Sequence, residues 1–425
     1  MNETESHLVD AFADVSGQRV LLVPPDHTRF HSGAGHITAF LYEHLTGKEC
    51  DVSVLPALGT HVPMTAAELT SMFGDGVPVD RVLEHRWTDG MERLGEVDAA
   101  EVCALSDGRV DVPIPVEVDP VLVQPWDLVV SIGQVVPHEV IGMANFTKNL
   151  VIGLGGPPTI NLTHFLSAQC GIENVIGRIE TPVRTVVDAA FDRFVADRAN
   201  VMWILTVMEP TDDEVVQRGL FVGRGRSDES GGAAFRAAAD LASACNIHFV
   251  DEPLTRVVCW LDPSEFHSTW LGNKAIYRTR MALADGAELV VLAPGVSRFG
   301  EDPLVDALIR RHGYRGTAAT TDALAADPEL AASLGAAAHL VHGSSEGRFD
   351  IVYCTDPAQG GLTREEIESV GYRWRPLAPE LARLDRSGDA SYFIDKPALG
   401  LWASRDRFIA DRPPRAPLNQ QQHAT

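Results

Sequence analysis

The chain has 425 residues, of which 45% are hydrophobic and 22% charged. That length exceeds one ordinary core and predicts two domains of a soluble globular protein. The net charge of −24 argues against a nucleic-acid surface and against an anionic membrane as partner. No apolar run reaches the roughly 18 residues of a membrane helix. The six cysteines are scattered with no Cys-x-x-Cys pair, and the opening Met-Asn-Glu-Thr-Glu-Ser is acidic, unlike a signal peptide. Together they predict reduced thiols and a cytoplasmic location.

In chain order, an apolar strand is predicted over residues 19–23, ending in Pro24-Pro25-Asp26-His27-Thr28-Arg29. Asp26 or Thr28 could cap the turn, or these side chains could reach a ligand, with the Arg29 fork suited to a carboxylate or phosphate. A helical period covers Gly35 to Leu45. A second strand at 52–55 leads to Gly59-Thr60-His61-Val62-Pro63-Met64-Thr65, and Thr65 with Glu68 forms a capping box that leaves His61 in the loop before a helix. Residues 76–120 read as an irregular excursion with strand-like pieces such as 110–116.

The run 128–136 has the look of a buried strand, which places His138 at its C-terminal end, where open α/β sheets bind ligands. Lys148 follows ten residues later, before the apolar run 150–152 and the turn Gly153-Leu154-Gly155-Gly156; His164 comes next. Two imidazoles, an amine and a turn able to approach a phosphate share one short stretch. Taken singly, each histidine also fits a hydrogen-bonded core residue, the lysine a solvated one, and the glycines a tight turn. His61, His138 and His164 could equally bind zinc for hydrolysis.

Helices are predicted near 165–170 and 182–197, a strand at 201–207, a polar loop at 227–233, a helix at 234–245 and a strand at 255–261. A boundary region, 262–274, contains Trp270-Leu271-Gly272-Asn273-Lys274; a cation at a helix start opposes the helix dipole, which favours a functional reason for Lys274. A helix at 275–284, strands at 288–292 and 349–353, a helix at 303–311 and a capping signal at Thr363–Glu366 complete a second, smaller unit. The segment from Pro413 should fray. The fold class is α/β: two α/β domains with largely parallel sheets, residues 1–262 and 263–425, with an active site in the cleft between them.

The stretch around His138, Lys148 and His164 resembles the signature of the nickel-pincer-nucleotide-dependent lactate racemases. In that family a Pro-His precedes a lysine by ten residues, and a second histidine comes sixteen residues after the lysine. The resemblance extends to the Asp26-x-x-Arg29 pattern and, most specifically, to Gly59-Thr60-His61-x-Pro63-Met64-Thr65. It departs at Gly142 to Lys148, where the family reads Gly-Tyr-Ser-Gly-Gly-x-Lys, and at Leu271, where the family has glutamine.

The resemblance implies a racemase or epimerase that inverts C2 of a 2-hydroxy acid by transient hydride transfer through a 2-keto acid. His61 and His138 would be its two bases. The pyridinium of the cofactor would accept the hydride. Lys148 would hold the cofactor through a thioamide, and His164 would ligate nickel. Asp26, Thr28 and Arg29 would contact the cofactor, and Gly153, Gly155 and Gly156 would accommodate its phosphate. Arg29, Lys274 and Leu271 would meet the substrate. The changed residues point away from lactate towards a larger hydroxy acid, a hydroxy diacid or an aldonate. Cofactor-biosynthesis proteins would be partners. A sugar-acid or nucleotide-binding protein without catalysis is the remaining alternative.

Overall fold

The computed structural model describes residues 3–211, 214–384 and 391–410, without the side chains of 409 and 410. The segment from Pro413 lies outside the described residues. Two five-stranded sheets dominate, in the largely parallel α/β arrangement expected.

The first sheet contains β1 (Arg19–Val23), β2 (Asp51–Val54), β3 (Leu128–Gln134), β4 (Val201–Pro210) and β5 (Val215–Arg224), in the order β2-β1-β3-β4-β5. All neighbours are parallel except β5, which turns back along β4. β1 and β3 are apolar on both faces because both faces are covered. Leu21, Val23 and Val129 feed one core, while Val20, Leu22 and Val130 feed another on the opposite side. The loops after β1, β2 and β3 therefore emerge together at one edge, and these carry Asp26–Arg29, His61 and His138.

The second sheet contains β6 (Leu254–Trp260), β7 (Leu283–Leu292), β8 (Asp350–Thr355), β9 (Arg373–Pro376) and β10 (Tyr392–Ile394), all parallel, in the order β9-β8-β7-β6-β10. The division expected after residue 262 falls one strand too late, since Leu254–Trp260 pairs with Leu283–Leu292. Two crossings join the units: Ile247–Val250 on the way out lies parallel to Leu401–Ser404 on the way back.

Several local expectations change. The helix expected near 165 begins at Pro157, because proline at the first position needs no hydrogen-bond donor. The helix expected over 275–284 ends at Thr279, and β7 starts at Leu283. The excursion at 76–120 contains an antiparallel pair, Glu92–Val97 with Ile114–Val118. Among the described residues no helix is long and apolar enough to cross a membrane.

Candidate active site

Asp26 caps the turn His27–Ser32 and anchors a histidine at once. Its Oδ1 accepts from the Thr28 amide at 3.2 Å and the Thr28 hydroxyl at 2.6 Å, while its Oδ2 lies 2.6 Å from Nδ1 of His61. The capping reading of this turn holds, and the same Asp26 carboxylate also anchors His61. Burial works to raise the Asp26 carboxyl, but His61, Thr28 and Arg29 outweigh it and hold it below the ordinary aspartate value. A carboxylate can only accept, so Nδ1 of His61 carries the proton and Nε2 presents a lone pair. The ring is half exposed.

His138 lies just past β3, in a two-residue strand paired with Gly142–Met143. The hairpin turns through Gly142 at φ 92°, where a Cβ would sit 2.0 Å from the Arg178 carbonyl, so only glycine fits. His138 is buried, and burial first, then Lys148, Arg29 and Arg278, press its imidazole well below the ordinary value against the pull of Glu139. Its Nδ1 accepts the Val140 amide at 3.1 Å.

Lys148 sits in the short helix Thr147–Val151, directly after two residues with positive φ, Asn145 and Phe146. Strain of that kind persists only where surroundings enforce it. Here Phe146 packs against Trp203 and Phe235, with ring centroids 4.6 and 5.0 Å away. The buried Arg184 donates to the Met143 and Asn145 carbonyls and, at 3.0 Å, to the Thr147 hydroxyl. Burial, then Arg29, pulls the Lys148 ammonium down to about 8. An amine that sheds its proton near neutrality is a nucleophile able to form the expected amide-type linkage.

His164 stands mid-helix in Pro157–Cys170 and its Nδ1 bonds the Ile160 carbonyl at 2.7 Å. That bond takes the ring proton and leaves Nε2 as a free lone pair, the arrangement of a metal-ligating histidine. Burial lowers its imidazole, and Lys148 lies near enough to add to the effect. The amine and the lone pair thus fit a tethered organometallic group that needs one protein ligand. Among the described residues no three His, Cys, Asp or Glu side chains gather as a metal cluster, so His61, His138 and His164 do not form the zinc centre considered from sequence.

The glycine turn is not a phosphate cradle. The Gly153, Gly155 and Gly156 amides donate to the Lys148, Ile152 and Glu117 carbonyls. These positions are glycine for packing: a Cβ would lie 2.3 Å from the Asn149 carbonyl at Gly153, 2.4 Å from that of Val151 at Gly155, and 2.8 Å from the Glu117 carboxylate at Gly156.

A cleft of about 1530 Å³ is lined by Thr28, Arg29, Phe30, Phe266 and Lys274, while His61, His138, Lys148 and His164 are not among its walls. Arg29 is the hinge of the electrostatics, acting on His138, Lys148 and Lys274 alike. Burial lowers the Lys274 ammonium before Arg29 does. Leu271 is not among the cleft residues; it packs on the main core. The sequence reading missed Glu139 and Arg278. The Arg278 guanidinium bonds the Pro137 carbonyl at 2.8 Å and lies 3.7 Å from Glu139, whose carboxyl burial would raise but His138 and Arg278 hold well down.

Residues 4–174 match the family model described as the lactate racemase N-terminal domain. That part of the chain is similar to the N-terminal domain of lactate racemases. The fold agrees: the lactate racemase apoprotein from Thermoanaerobacterium thermosaccharolyticum superposes with a TM-score of 0.70 at 15% identity, over 92% of this chain and 88% of that one. A crystal structure of a Thermotoga maritima protein gives 0.79 at 23% identity, over 94% and 97%. No curated protein matches the sequence. His61, His138, Lys148 and His164 all lie within the matched residues.

Proposed function

We propose that the protein is an isomerase that inverts C2 of a 2-hydroxy acid larger than lactate, such as a hydroxy diacid or an aldonate, with a nickel-pincer nucleotide as cofactor. The observation that carries this reading is the set of charges around Arg29. One guanidinium acts on His138, Lys148 and Lys274, and Lys148 in turn acts on His164. These shared charges, contributed from separate loops and both halves, support a single locus.

Lys148 would tether the cofactor through its deprotonated amine and His164 would ligate the metal through Nε2. When bound, the group supplies a hydride acceptor, which is what a C2 hydrogen of negligible acidity requires. This chain's own residues handle the rest. Arg29 and Lys274 neutralise the substrate carboxylate in a protein whose overall field repels anions. His61, held by Asp26, takes the hydroxyl proton at Nε2. His138 offers a second imidazole to the same oxygen. Arg29 and Lys274 also line the cleft of about 1530 Å³, which would take the part of a longer substrate that extends past its carboxylate.

The test is to load the protein with the cofactor and screen single-enantiomer 2-hydroxy acids for loss of optical rotation. Deuterium at C2 should be retained in the product. Its wash-out into solvent would refute the reading in favour of proton abstraction at carbon.

A further inference from the structure

The two imidazoles are wired in opposite senses. His61 Nδ1 faces a carboxylate at 2.6 Å, which can only accept, so the neutral ring is protonated on Nδ1 and basic at Nε2. His138 Nδ1 faces the Val140 backbone amide at 3.1 Å, which can only donate. Its Nδ1 is therefore the unprotonated nitrogen, and the neutral ring carries its proton on Nε2. Val140 is itself buried, and an amide buried there without a partner would carry an uncompensated desolvation penalty, which holds the tautomer in place. Among the described residues Nε2 of His138 has no hydrogen-bond partner.

We propose that His61 alone carries the proton, while His138 is a hydrogen-bond donor that polarises the substrate's 2-oxygen through Nε2–H. The inference rests on the functional reading above and refines the roles of its two histidines. In the forward direction the substrate O–H bond breaks and an N–H bond forms at His61 Nε2; the Asp26 carboxylate balances the imidazolium. The same proton returns to the same oxygen. A neutral Nε2–H ring cannot accept at Nε2, and giving up that proton would leave an imidazolate, a form that imidazole reaches only far above neutral pH. A neutral imidazole acting as electrophile is established enzyme chemistry. One base then serves both enantiomers if the oxygen keeps its place and the carboxylate and C3 group exchange sides between Arg29 and Lys274.

Two measurements decide the matter. Nitrogen-15 NMR of the full chain labelled at histidine reads each tautomer from its ring couplings, and depends on no variant. His61 should appear protonated at Nδ1 and His138 at Nε2. The second measurement uses cofactor-loaded variants. Glutamine offers an N–H at similar reach but is no base, so His138→Gln should keep turnover within about tenfold of the parent. His138→Ala and His61→Gln should each lose about 100-fold or more. A His138 ring protonated at Nδ1, or a His138→Gln protein as slow as His138→Ala, overturns the inference and leaves the isomerase reading standing. A loaded parent that inverts no 2-hydroxy acid overturns the isomerase reading itself, and the catalytic roles fall with it.

Discussion

Lys148 gives the sharpest single test of the site. The chain has four lysines, Lys48, Lys148, Lys274 and Lys396, so amine chemistry can be followed residue by residue. Burial and Arg29 bring Lys148 from 10.5 to about 8. At pH 7 the neutral fraction rises from about 0.03% to about 9%, a gain of roughly 300-fold in the nucleophilic form. The assay is pulsed modification with a dilute amine reagent between about pH 6 and about pH 10, with each lysine resolved by peptide mass spectrometry. Normalising each curve to its own plateau removes differences in access, and a free lysine peptide titrating near 10.4 serves as the internal standard. The Lys148 curve should have its midpoint near 8. Arg29→Gln removes a like charge that disfavours the ammonium, so its midpoint should move upward. A Lys148 midpoint at or above 10 would refute the placement of this amine in a desolvated, cation-rich pocket.

Other expectations follow from the same geometry. Glu173 bonds Arg280 at 2.9 Å and Arg348 at 2.7 Å, and although burial works to raise its carboxyl these partners depress it. A depressed carboxyl stabilises the fold above its unfolded pKa, and that contribution is lost as pH falls through the folded value. Glu173→Gln should cost roughly 3 kcal/mol at pH 7 and lose less further stability than the parent on acidification below about pH 4; parallel urea curves would contradict this. Arg184→Met leaves the Met143 and Asn145 carbonyls and the Thr147 hydroxyl without their donor. It should cost about 3 kcal/mol in denaturant titration, and a cost under 1 kcal/mol would remove Arg184 as the clamp on the strained turn. Gly155→Ala places a methyl 2.4 Å from the Val151 carbonyl. It should lose about 1 to 3 kcal/mol, seen as a lower Tm, without changing inorganic phosphate binding; weakened phosphate binding would restore the cradle.

Much of this was legible in the sequence where the signal is local. The capping box at Thr65 and Glu68 forms as read and fixes the end of the loop that carries His61. The apolar run before His138 is β3, buried along nearly its whole length. The glycine turn misled because an amide's partner cannot be read from its neighbours: Gly156 donates to Glu117, some forty residues earlier in the chain. Arg184 and Arg278 were invisible for the same reason, since each bonds carbonyls far away in sequence. Leu271 is half-buried against the core and not in the cleft, and periodicity alone does not separate a leucine of that kind from a pocket leucine. β5 escaped notice as an edge strand whose side chains are mostly half-buried, so its pattern is neither a clean alternation nor a solid apolar run.

The outward and returning segments Ile247–Val250 and Leu401–Ser404 are hydrogen-bonded side by side as a two-stranded ribbon. Lys274 belongs to one half and Arg29 to the other, so the spacing between the two cations depends on the joints that hold the halves: this ribbon, the Glu173 pairs to Arg280 and Arg348, and the Arg278 bond to the Pro137 carbonyl.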